Sequence, residues 1–515
     1  MRVIKHVVIL LGALAFSASV SCSGGGVGGL DGGGVGDLAS GGIGGSGIAV
    51  GTVTAFGSIF VDGVKYKITG DTTITIDGEP GKEERDLAVG QVVTVKWKTD
   101  TDGNLLAESV EFDDNLEGPV SIEPDTGELI VLGQKVLVDE LTQFAVGPLA
   151  TGKFENQTDV SEGNILEVSG FEDADGRISA TFIRKKADNS DDFLSGDEDK
   201  QFEVQGTVDE APDGGIFTIN NNSLRVDASG LDISDFEKGV LVQVKGVEVK
   251  SDDFDGTTLS ATAIEIEEED LGGVAGEKVE LEGIVTRIDK SNQILVEFFV
   301  DRQRVRTDVN TKVFENGTPA SISRIKENVK LEVEGELDKS GLVSAHKVFI
   351  RKPSQVKIEA IAQQVNLNDS TVTLLGIPVT VNDLTQLDDD RDDDGADAER
   401  RFGLERIELG DYLQVRGFED EDPTGEVSVI ATKLERDDPP EDPDEAVSLR
   451  GAIKSVEDDS FVILGVTIQT NAATDFERFA SLDDLSVGSL VEVKGSLISE
   501  KTLLAVEVKL KIKND

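Results

Sequence analysis

One pattern recurs six times along this 515-residue chain and constrains the fold more than any other feature. Four copies consist of an apolar segment, a two-residue turn with glycine second, and another apolar segment. They read SIFVDGVKY from Ser58, ELIVLGQKV from Glu128, TVTLLGIPV from Thr371 and SFVILGVTI from Ser460. Two looser copies, IFTINNNSLRV and ILVEFFVDRQRV, start at Ile216 and Ile294. Glycine at the second turn position supplies the positive φ of a tight turn, so the pattern predicts six β-hairpins.

A second motif follows each hairpin. It reads LAVGQVVTVKW from Leu87, VSEGNILEVSG from Val160, FEKGVLVQVKG from Phe236, IKENVKLEVEG from Ile325, IELGDYLQVRG from Ile407 and LSVGSLVEVKG from Leu485. A helical turn that ends at glycine, or at Asn328 in the fourth copy, leaves this signature. The next residues alternate between apolar and polar, which is typical of a half-buried strand, and a last strand usually follows a turn.

Together the two motifs predict three strands, a short helix and two more strands in each copy. That is the element order of a small closed Greek-key barrel of the OB type. Closure also removes exposed strand edges from a chain with many β segments. The predicted fold class is therefore all-β: a tandem array of about six small OB-like barrels, each with one short helix, after a glycine-rich tether.

The copies, and the charged or proline-bearing stretches between them, predict the domain boundaries. A signal peptide occupies residues 1–21 and a glycine-rich tether residues 22–46. The six repeats occupy residues 47–114, 115–188, 200–270, 277–352, 354–437 and 445–513, and the fifth carries an acidic insertion.

The repeats resemble a bacterial family built from a domain of unknown function, which occurs in tandem in secreted lipoproteins of Gram-negative organisms. The VGxxVxVxG block is the most specific part of the resemblance, which covers nearly the whole mature chain. The resemblance implies export and an all-β fold. It implies no catalytic residues, because none has been assigned to the family.

The N-terminus, MRVIKHVVILLGALAFSASVSC, has the charge–apolar–small order of a secretory signal, and its apolar part is too short for a stable membrane span. Residues 19–22 resemble the lipobox of bacterial lipoproteins, in which the cysteine becomes the lipidated first residue. Cys22 is the only cysteine in the chain, although Ser19 stands where that family prefers leucine. The alternative is an ordinary cleaved signal with an incidental cysteine. Glycine dominates residues 23–46, which predicts a flexible tether of roughly 25–30 Å.

Charge excludes one class of partner. The chain has 101 acidic and 49 basic residues, for a net charge of −52, and such a surface repels phosphate backbones. We therefore expect no nucleic-acid partner, and contact with the membrane only through the N-terminal lipid. One cysteine and two histidines also leave no disulfide framework and little material for a general base.

The acidic insertion LDDDRDDDGADAER contains the one serious candidate for a ligand site. Asp390, Asp392 and Asp394, followed by glycine, reproduce the D-x-D-x-D-G start of calcium loops. Arg401 stands where an EF-hand places its bidentate glutamate, so a true EF-hand is excluded. The alternative is a solvated acidic insertion that binds no metal. No other cofactor is expected.

The sequence favours a non-enzymatic, lipid-anchored envelope protein that acts as a binding or spacer module for an unknown envelope or extracellular ligand. Six similar small units rarely contain one unique active site, and their loops suit binding. The expected location is the outer membrane of a Gram-negative bacterium. The alternative is a secreted carbohydrate-active hydrolase with a site between repeats, although only Trp97, Tyr66 and Tyr412 are available as tryptophan or tyrosine rings for sugar stacking.

Overall fold

The computed structural model describes residues 45–511, apart from 196–199, 222, 235, 252–256, 268–270, 290–295, 316, 352, 390, 392–401, 422–425 and 441–445. The predicted signal peptide and almost the whole predicted tether lie outside the described residues. Within them the chain forms several small closed β-barrels in tandem, which confirms the predicted fold class. We number the barrels 1 to 6 in chain order.

The strands have the following bounds. Barrel 1 contains β1 (Ser46–Ala55), β2 (Ile59–Val61), β3 (Val64–Tyr66), β4 (Thr73–Ile76), β5 (Glu79–Pro80), β6 (Val92–Thr99) and β7 (Leu105–Phe112). Barrel 2 contains β8 (Leu116–Ile122), β9 (Leu129–Val131), β10 (Gln134–Leu137), β11 (Gln143–Leu149), β12 (Ile165–Glu172) and β13 (Ile178–Ala187). Barrel 3 contains β14 (Phe202–Thr207), β15 (Ile216–Ile219), β16 (Leu224–Asp227), β17 (Leu241–Ser251) and β18 (Thr257–Ile266).

The second half of the chain repeats this arrangement. Barrel 4 contains β19 (Lys278–Asp289), β20 (Glu297–Val300), β21 (Gln303–Arg306), β22 (Lys312–Glu315), β23 (Thr318–Ala320), β24 (Lys330–Leu337) and β25 (Val343–Ile350). Barrel 5 contains β26 (Val356–Ile361), β27 (Gln364–Asn366), β28 (Thr371–Leu374), β29 (Ile377–Thr380), β30 (Gln386–Asp389), β31 (Tyr412–Glu421) and β32 (Val427–Asp437). Barrel 6 contains β33 (Val447–Val456), β34 (Ser460–Ile463), β35 (Val466–Gln469), β36 (Asp475–Glu477), β37 (Leu490–Ser499) and β38 (Thr502–Leu510).

Barrel 2 shows how a barrel closes. Strand β8 pairs with β9, β9 with β10, β10 in parallel with β13, β13 with β12, and β12 again with β8. An additional strand, β11, pairs in parallel with the same edge of β13 as β10, further along the strand. This circular order is that of an OB-type Greek-key barrel.

The predicted short helix of each unit is at most a single 3-10 turn among the described residues. Five barrels have a three-residue 3-10 turn before their second-to-last strand, and no such turn occurs in the described part of barrel 3. These turns are Glu84–Asp86, Gln157–Asp159, Ile322–Arg324, Leu404–Arg406 and Leu482–Asp484. The one α-helix among the described residues, α1 (Ser190–Leu194), lies between barrels 2 and 3.

The first glycine of the VGxxVxVxG block, or the asparagine that replaces it, hydrogen-bonds to the first strand of its barrel or to the residue after that strand. Gly163 has a φ of 85°, and its N–H donates to the Val120 carbonyl at 2.8 Å, while Val120 N–H donates to the Asn164 carbonyl at 2.9 Å. In barrel 4, Asn328 takes the same left-handed conformation with a φ of 64° and bonds to Val285. Asparagine tolerates this region better than most residues, which explains why it replaces glycine there.

The six barrels are joined in three pairs. Barrels 1 and 4 are joined by parallel pairing of β1 with β19, from Gly47–Lys278 to Val50–Leu281. Barrels 2 and 3 are joined by antiparallel pairing of β8 with β14, and barrels 5 and 6 by β26 with β33. Every joined strand is the first strand of its barrel. We call each of these junctions, with the polar side chains beside it, a seam.

The apolar cores follow the same pairing. One continuous apolar cluster runs through barrels 2 and 3, and another runs through barrels 5 and 6. Barrels 1 and 4 have separate clusters, although Ile48 of β1 belongs to the cluster of barrel 4. The seam between barrels 1 and 4 is therefore the one that depends most on polar contacts.

Candidate functional site

The residues predicted as sites fall outside the part of the chain that the structure describes. Cys22, Asp390, Asp392 and Asp394 are all in this group. Within the acidic insertion, the described carboxylate nearest in sequence to these aspartates is that of Asp389, which ends β30. It accepts a hydrogen bond from Arg391 Nε at 3.0 Å and another from Arg436 Nε at 3.0 Å. These arginines hold the pKa of Asp389 below its usual range, although burial acts in the opposite direction.

The aromatic residues considered for sugar stacking are not available to a ligand. Trp97 is 1% exposed, Tyr66 is 0% exposed and Tyr412 is 7% exposed. They are the only tryptophan and tyrosine residues of the chain. None of these rings offers a face to a sugar on the surface.

Polar side chains cover the seam between barrels 1 and 4. The backbone N–H of Thr52 in β1 donates to Glu282 Oε2 at 2.7 Å. The Tyr66 hydroxyl of β3 donates to Glu280 Oε2 at 2.6 Å. Barrel 1 thus supplies hydrogen-bond donors to carboxylates on β19 of barrel 4, and this contact buries both glutamates.

Three carboxyl groups cluster at this seam. One oxygen from each of Glu280, Glu332 and Glu334 lies within 4.8 Å of the other two, and the residues are only 6%, 2% and 5% exposed. Glu334 pairs with Lys347 at 2.9 Å, and Glu332 pairs with Arg351. The cluster is buried and contains more acidic groups than the two basic groups that pair with it.

Burial changes the acidity of this cluster. It raises the pKa of Glu280 to about 8, although the hydrogen bond from Tyr66 acts in the opposite direction. Burial, followed by the nearby charge of Asp62, raises the pKa of Glu332 well above its usual range. Such groups hold a proton at neutral pH unless another positive charge replaces it.

A second carboxyl cluster lies at the seam between barrels 2 and 3. Asp114, Glu117 and Glu167 each place one oxygen within 4.8 Å of the others. Lys186 Nζ bridges two of them, at 2.6 Å from Glu117 and 2.7 Å from Glu167. Burial raises the pKa of Glu117 to about 7 although Lys186 lowers it, and burial with the charge of Asp77 raises the pKa of Asp114 further.

At the seam between barrels 5 and 6, the carboxylates are paired with basic groups. Lys357 Nζ lies 3.1 Å from Glu492, and its charge lowers the pKa of that carboxyl to about 2 despite burial. Arg450 on β33 forms a bidentate ion pair with Glu140 of barrel 2. This seam contains no carboxyl cluster of the kind found at the other two, within the described residues.

The two acidic seams can hold protons or a cation. Carboxylate oxygens are the ligands that Ca²⁺ and Mg²⁺ prefer, and a buried carboxyl with a raised pKa is readily protonated. Sequence reasoning missed both clusters. Glu167, Glu332 and Glu334 occupy the polar positions of the VxVxG alternation, which the pattern assigns to a solvated face. The signal that was available is the like charge of Glu332 and Glu334 on one face of one strand.

The described residues include no helix that is both long and apolar enough to span a bilayer. The sequence matches the family described as "Domain of unknown function (DUF5666)" over residues 50–111, 117–184, 282–348, 358–435 and 450–509. These segments lie in barrels 1, 2, 4, 5 and 6. No curated protein matches the chain.

One solved structure that matches is titled "drosophila Unr CSD456". It shares 11% sequence identity with the chain, covers 45% of it, and is itself covered over 97% of its length. The TM-score of 0.16 is too low for this similarity to bear on function.

Proposed function

The chain belongs to the DUF5666 family, and from that premise we propose that it is a non-catalytic binding or spacer protein of the cell envelope, anchored by a lipid on Cys22. The observation that supports the proposal is the structural role of the residues in the repeat motif. Its first glycines hydrogen-bond to the start of their barrels' β-structure, and its polar positions supply Glu167, Glu332 and Glu334 to two of the seams. A motif committed to architecture fits a protein whose task is to hold or space a binding surface.

The N-terminal sequence supports the anchor. A short signal precedes the only cysteine, and the glycine-rich segment after it gives folded domains distance from the head groups. Cleavage before Cys22 removes Arg2 and Lys5, so the mature chain is two charges more negative than the precursor. Acyl chains supply the membrane affinity that such a surface lacks, at about 0.8 kcal/mol per buried methylene.

Detergent partitioning and intact mass test the anchor. We expect the unaltered protein to enter the detergent phase with the mass of a chain that begins at lipidated Cys22. The Cys22→Ala protein should stay in the aqueous phase, and the Ser23→Ala control should behave as the unaltered protein does. A Cys22→Ala protein that still enters the detergent phase contradicts the anchor.

The residue after the cysteine supports an outer-membrane location. Ser23, rather than aspartate, resembles the outer-membrane sorting preference of bacterial lipoproteins. Fractionation of envelopes should find the unaltered protein in the outer membrane and a Ser23→Asp variant in the inner membrane. An equal distribution of the two proteins contradicts this sorting.

The absence of catalysis has its own test. Purified envelope polysaccharide and peptidoglycan, incubated with the protein, should release no soluble fragments. Cross-linking in intact envelopes should yield defined adducts if the protein binds a partner and none if it is a spacer. Release of fragments by the protein would favour the hydrolase and contradict the non-catalytic proposal.

A further inference from the structure

We propose that Glu280, Glu332 and Glu334 form a site for a hard divalent cation, with Ca²⁺ as the best fit, at the seam between barrels 1 and 4. Ca²⁺ binds carboxylate oxygens at about 2.3–2.6 Å, so ligands on opposite sides of the ion are roughly 5 Å apart. The three carboxylates place an oxygen each within 4.8 Å of one another. The cluster therefore has the dimensions of a calcium site.

The strand register places these carboxylates opposite each other. On neighbouring strands β19 and β24, Glu280 is paired with Glu334 and Glu282 with Glu332. Like charges that face each other directly across a strand pair are destabilising. Two such pairs on one buried face require a positive charge, or protons, to be stable.

Two oxygens of the cluster lack a hydrogen-bond donor. Glu280 Oε1 and Glu334 Oε1 are fully buried and have no hydrogen-bond partner among the described residues. Their other oxygens are paired, with the Tyr66 hydroxyl and with Lys347. Leaving a buried charged oxygen without a partner is costly, so these two atoms favour a bound cation.

The charge of the seam supports a doubly charged ion. The acidic groups packed together here are Asp62, Glu280, Glu282, Glu332 and Glu334, and the basic groups paired with them are Lys330, Lys347 and Arg351. When all five carboxylates are ionised, they exceed the three basic groups by two negative charges. One divalent cation neutralises this excess.

The seam between barrels 2 and 3 shows the alternative solution. Glu117 and Glu167 also face each other across a strand pair, but Lys186 bridges them. Among the described residues, no oxygen of Asp114, Glu117 or Glu167 is buried without a hydrogen-bond partner. Lys186 thus neutralises the facing glutamates at that seam, which is the role that we assign to the cation between barrels 1 and 4.

Barrel 1 covers the site when the two barrels are joined. All three ligands come from barrel 4, and Tyr66 of barrel 1 covers them through its hydrogen bond to Glu280. A bound cation neutralises these carboxylates and so lowers the cost of burying them against barrel 1, which favours the joined state. This role is independent of the lipid anchor, so the proposal stands or falls separately from it.

Terbium luminescence provides a local test. Tb³⁺ occupies oxygen-ligand calcium sites and emits when a nearby tyrosine or tryptophan is excited. Tyr66 touches Glu280, and the Trp97 ring centroid lies 6.2 Å from that of Tyr66. We expect the purified full chain, stripped with EDTA, to show saturable sensitised emission that Ca²⁺ displaces. The double variant Glu280→Gln, Glu334→Gln should weaken Tb³⁺ binding by at least tenfold.

Matched variants exclude other acidic sites. Glu492→Gln removes a carboxylate that is paired with Lys357 at the seam of barrels 5 and 6 and should leave the emission unchanged. Tyr412→Phe removes the only other tyrosine, which lies in the barrel that carries the acidic insertion, and should also leave it unchanged. Emission that is insensitive to the Glu280 and Glu334 substitutions, or that is lost with Tyr412→Phe, would overturn the proposal.

A melting experiment on the unaltered protein covers the case in which the double variant does not fold. Trp97 is the only tryptophan and lies in barrel 1 beside its seam with barrel 4, so its fluorescence reports on this part of the molecule. Millimolar Ca²⁺ added after EDTA should raise the Tm recorded by Trp97. An unchanged Tm at Ca²⁺ concentrations well above 10⁻³ M, roughly the weak limit for extracellular calcium modules, would overturn the proposal.

Discussion

At the scale of single residues, the most recognisable positions of the repeat have structural roles. The last glycine of the motif lies at a shift in strand register, where a side chain would collide with the partner strand. At Gly335 a Cβ atom would lie 2.5 Å from the Ser344 carbonyl oxygen, and at Gly495 it would lie 2.1 Å from that of Leu504. The residues that differ in chemistry between copies are the polar ones between the valines. Ligand chemistry is therefore to be sought at those polar positions.

Glu117 leads to a prediction about pH. Burial raises its pKa from 4.5 to about 7, so the folded state binds this proton more tightly than the unfolded chain does. The resulting stabilisation is complete below pH 4.5 and is lost as the pH rises to about 7. Between pH 5 and pH 7.5, the unaltered protein should lose on the order of 1–3 kcal/mol more unfolding free energy than Glu117→Gln.

The difference in unfolding free energy between the two proteins is measured by hydrogen exchange of peptides from barrels 2 and 3, in buffer that contains EDTA. The control is Glu492→Gln. The pKa of Glu492 is about 2, so this carboxyl stays ionised over the whole interval and its removal should not change the slope. Parallel pH profiles for Glu117→Gln and the unaltered protein would contradict the prediction.

At the scale of elements, the hairpin turns contain an unexpected residue. Leu132 and Gly133 both have positive φ, 47° and 78°, as a type I′ turn requires. Leucine rarely adopts this conformation, yet Leu132 is 2% exposed and packs against Gly118 of the first strand. Burial in the barrel core compensates for the strained backbone. Leu464 has the same conformation in barrel 6, with a φ of 49°.

Alanine substitutions at two turn glycines distinguish the cost of backbone strain from the cost of a clash between barrels. Gly133 and Gly465 have φ values of 78° and 75°, so alanine at either position costs about 1–2 kcal/mol in strain. A Cβ at Gly133 would also lie 2.2 Å from the Ser223 carbonyl oxygen of barrel 3, whereas one at Gly465 would meet nothing within 4 Å. Gly133→Ala should therefore destabilise its barrel by about 1–3 kcal/mol more than Gly465→Ala does. Hydrogen exchange in barrels 2 and 6 measures both effects, and equal losses would contradict the contact.

The barrels were predictable from the sequence because their signals are local. A turn glycine, a capped helical turn and an alternating strand each lie within a dozen residues. The seams were not predictable in this way. Glu332 has the same polar position in the alternation whether its face meets water or another barrel. Pairing of Gly47 with Lys278 also joins strands that two other barrels separate in the sequence.

At the scale of the whole molecule, the stability of a barrel does not depend only on the barrels next to it in the sequence. Repeat proteins usually pack each unit against the next one along the chain. Here barrel 1 is joined to barrel 4, which covers Ile48 and accepts hydrogen bonds from Thr52 and Tyr66. Barrels 1 and 4 should therefore unfold together.

A buried charge in one barrel tests this coupling. Val333 of barrel 4 and Val493 of barrel 6 occupy the same motif position, and both are 0% exposed. Aspartate at either site places a carboxylate in an apolar core at a cost of several kcal/mol, enough to unfold a small barrel. Trp97 reports on barrel 1, so its fluorescence should show a lower urea midpoint in Val333→Asp. Val493→Asp should lower that midpoint much less, because barrel 6 is joined to barrel 5 and, among the described strands, pairs with none of barrel 1. Equal Trp97 midpoints in the two variants would mean that barrel 1 does not depend on barrel 4 for its stability.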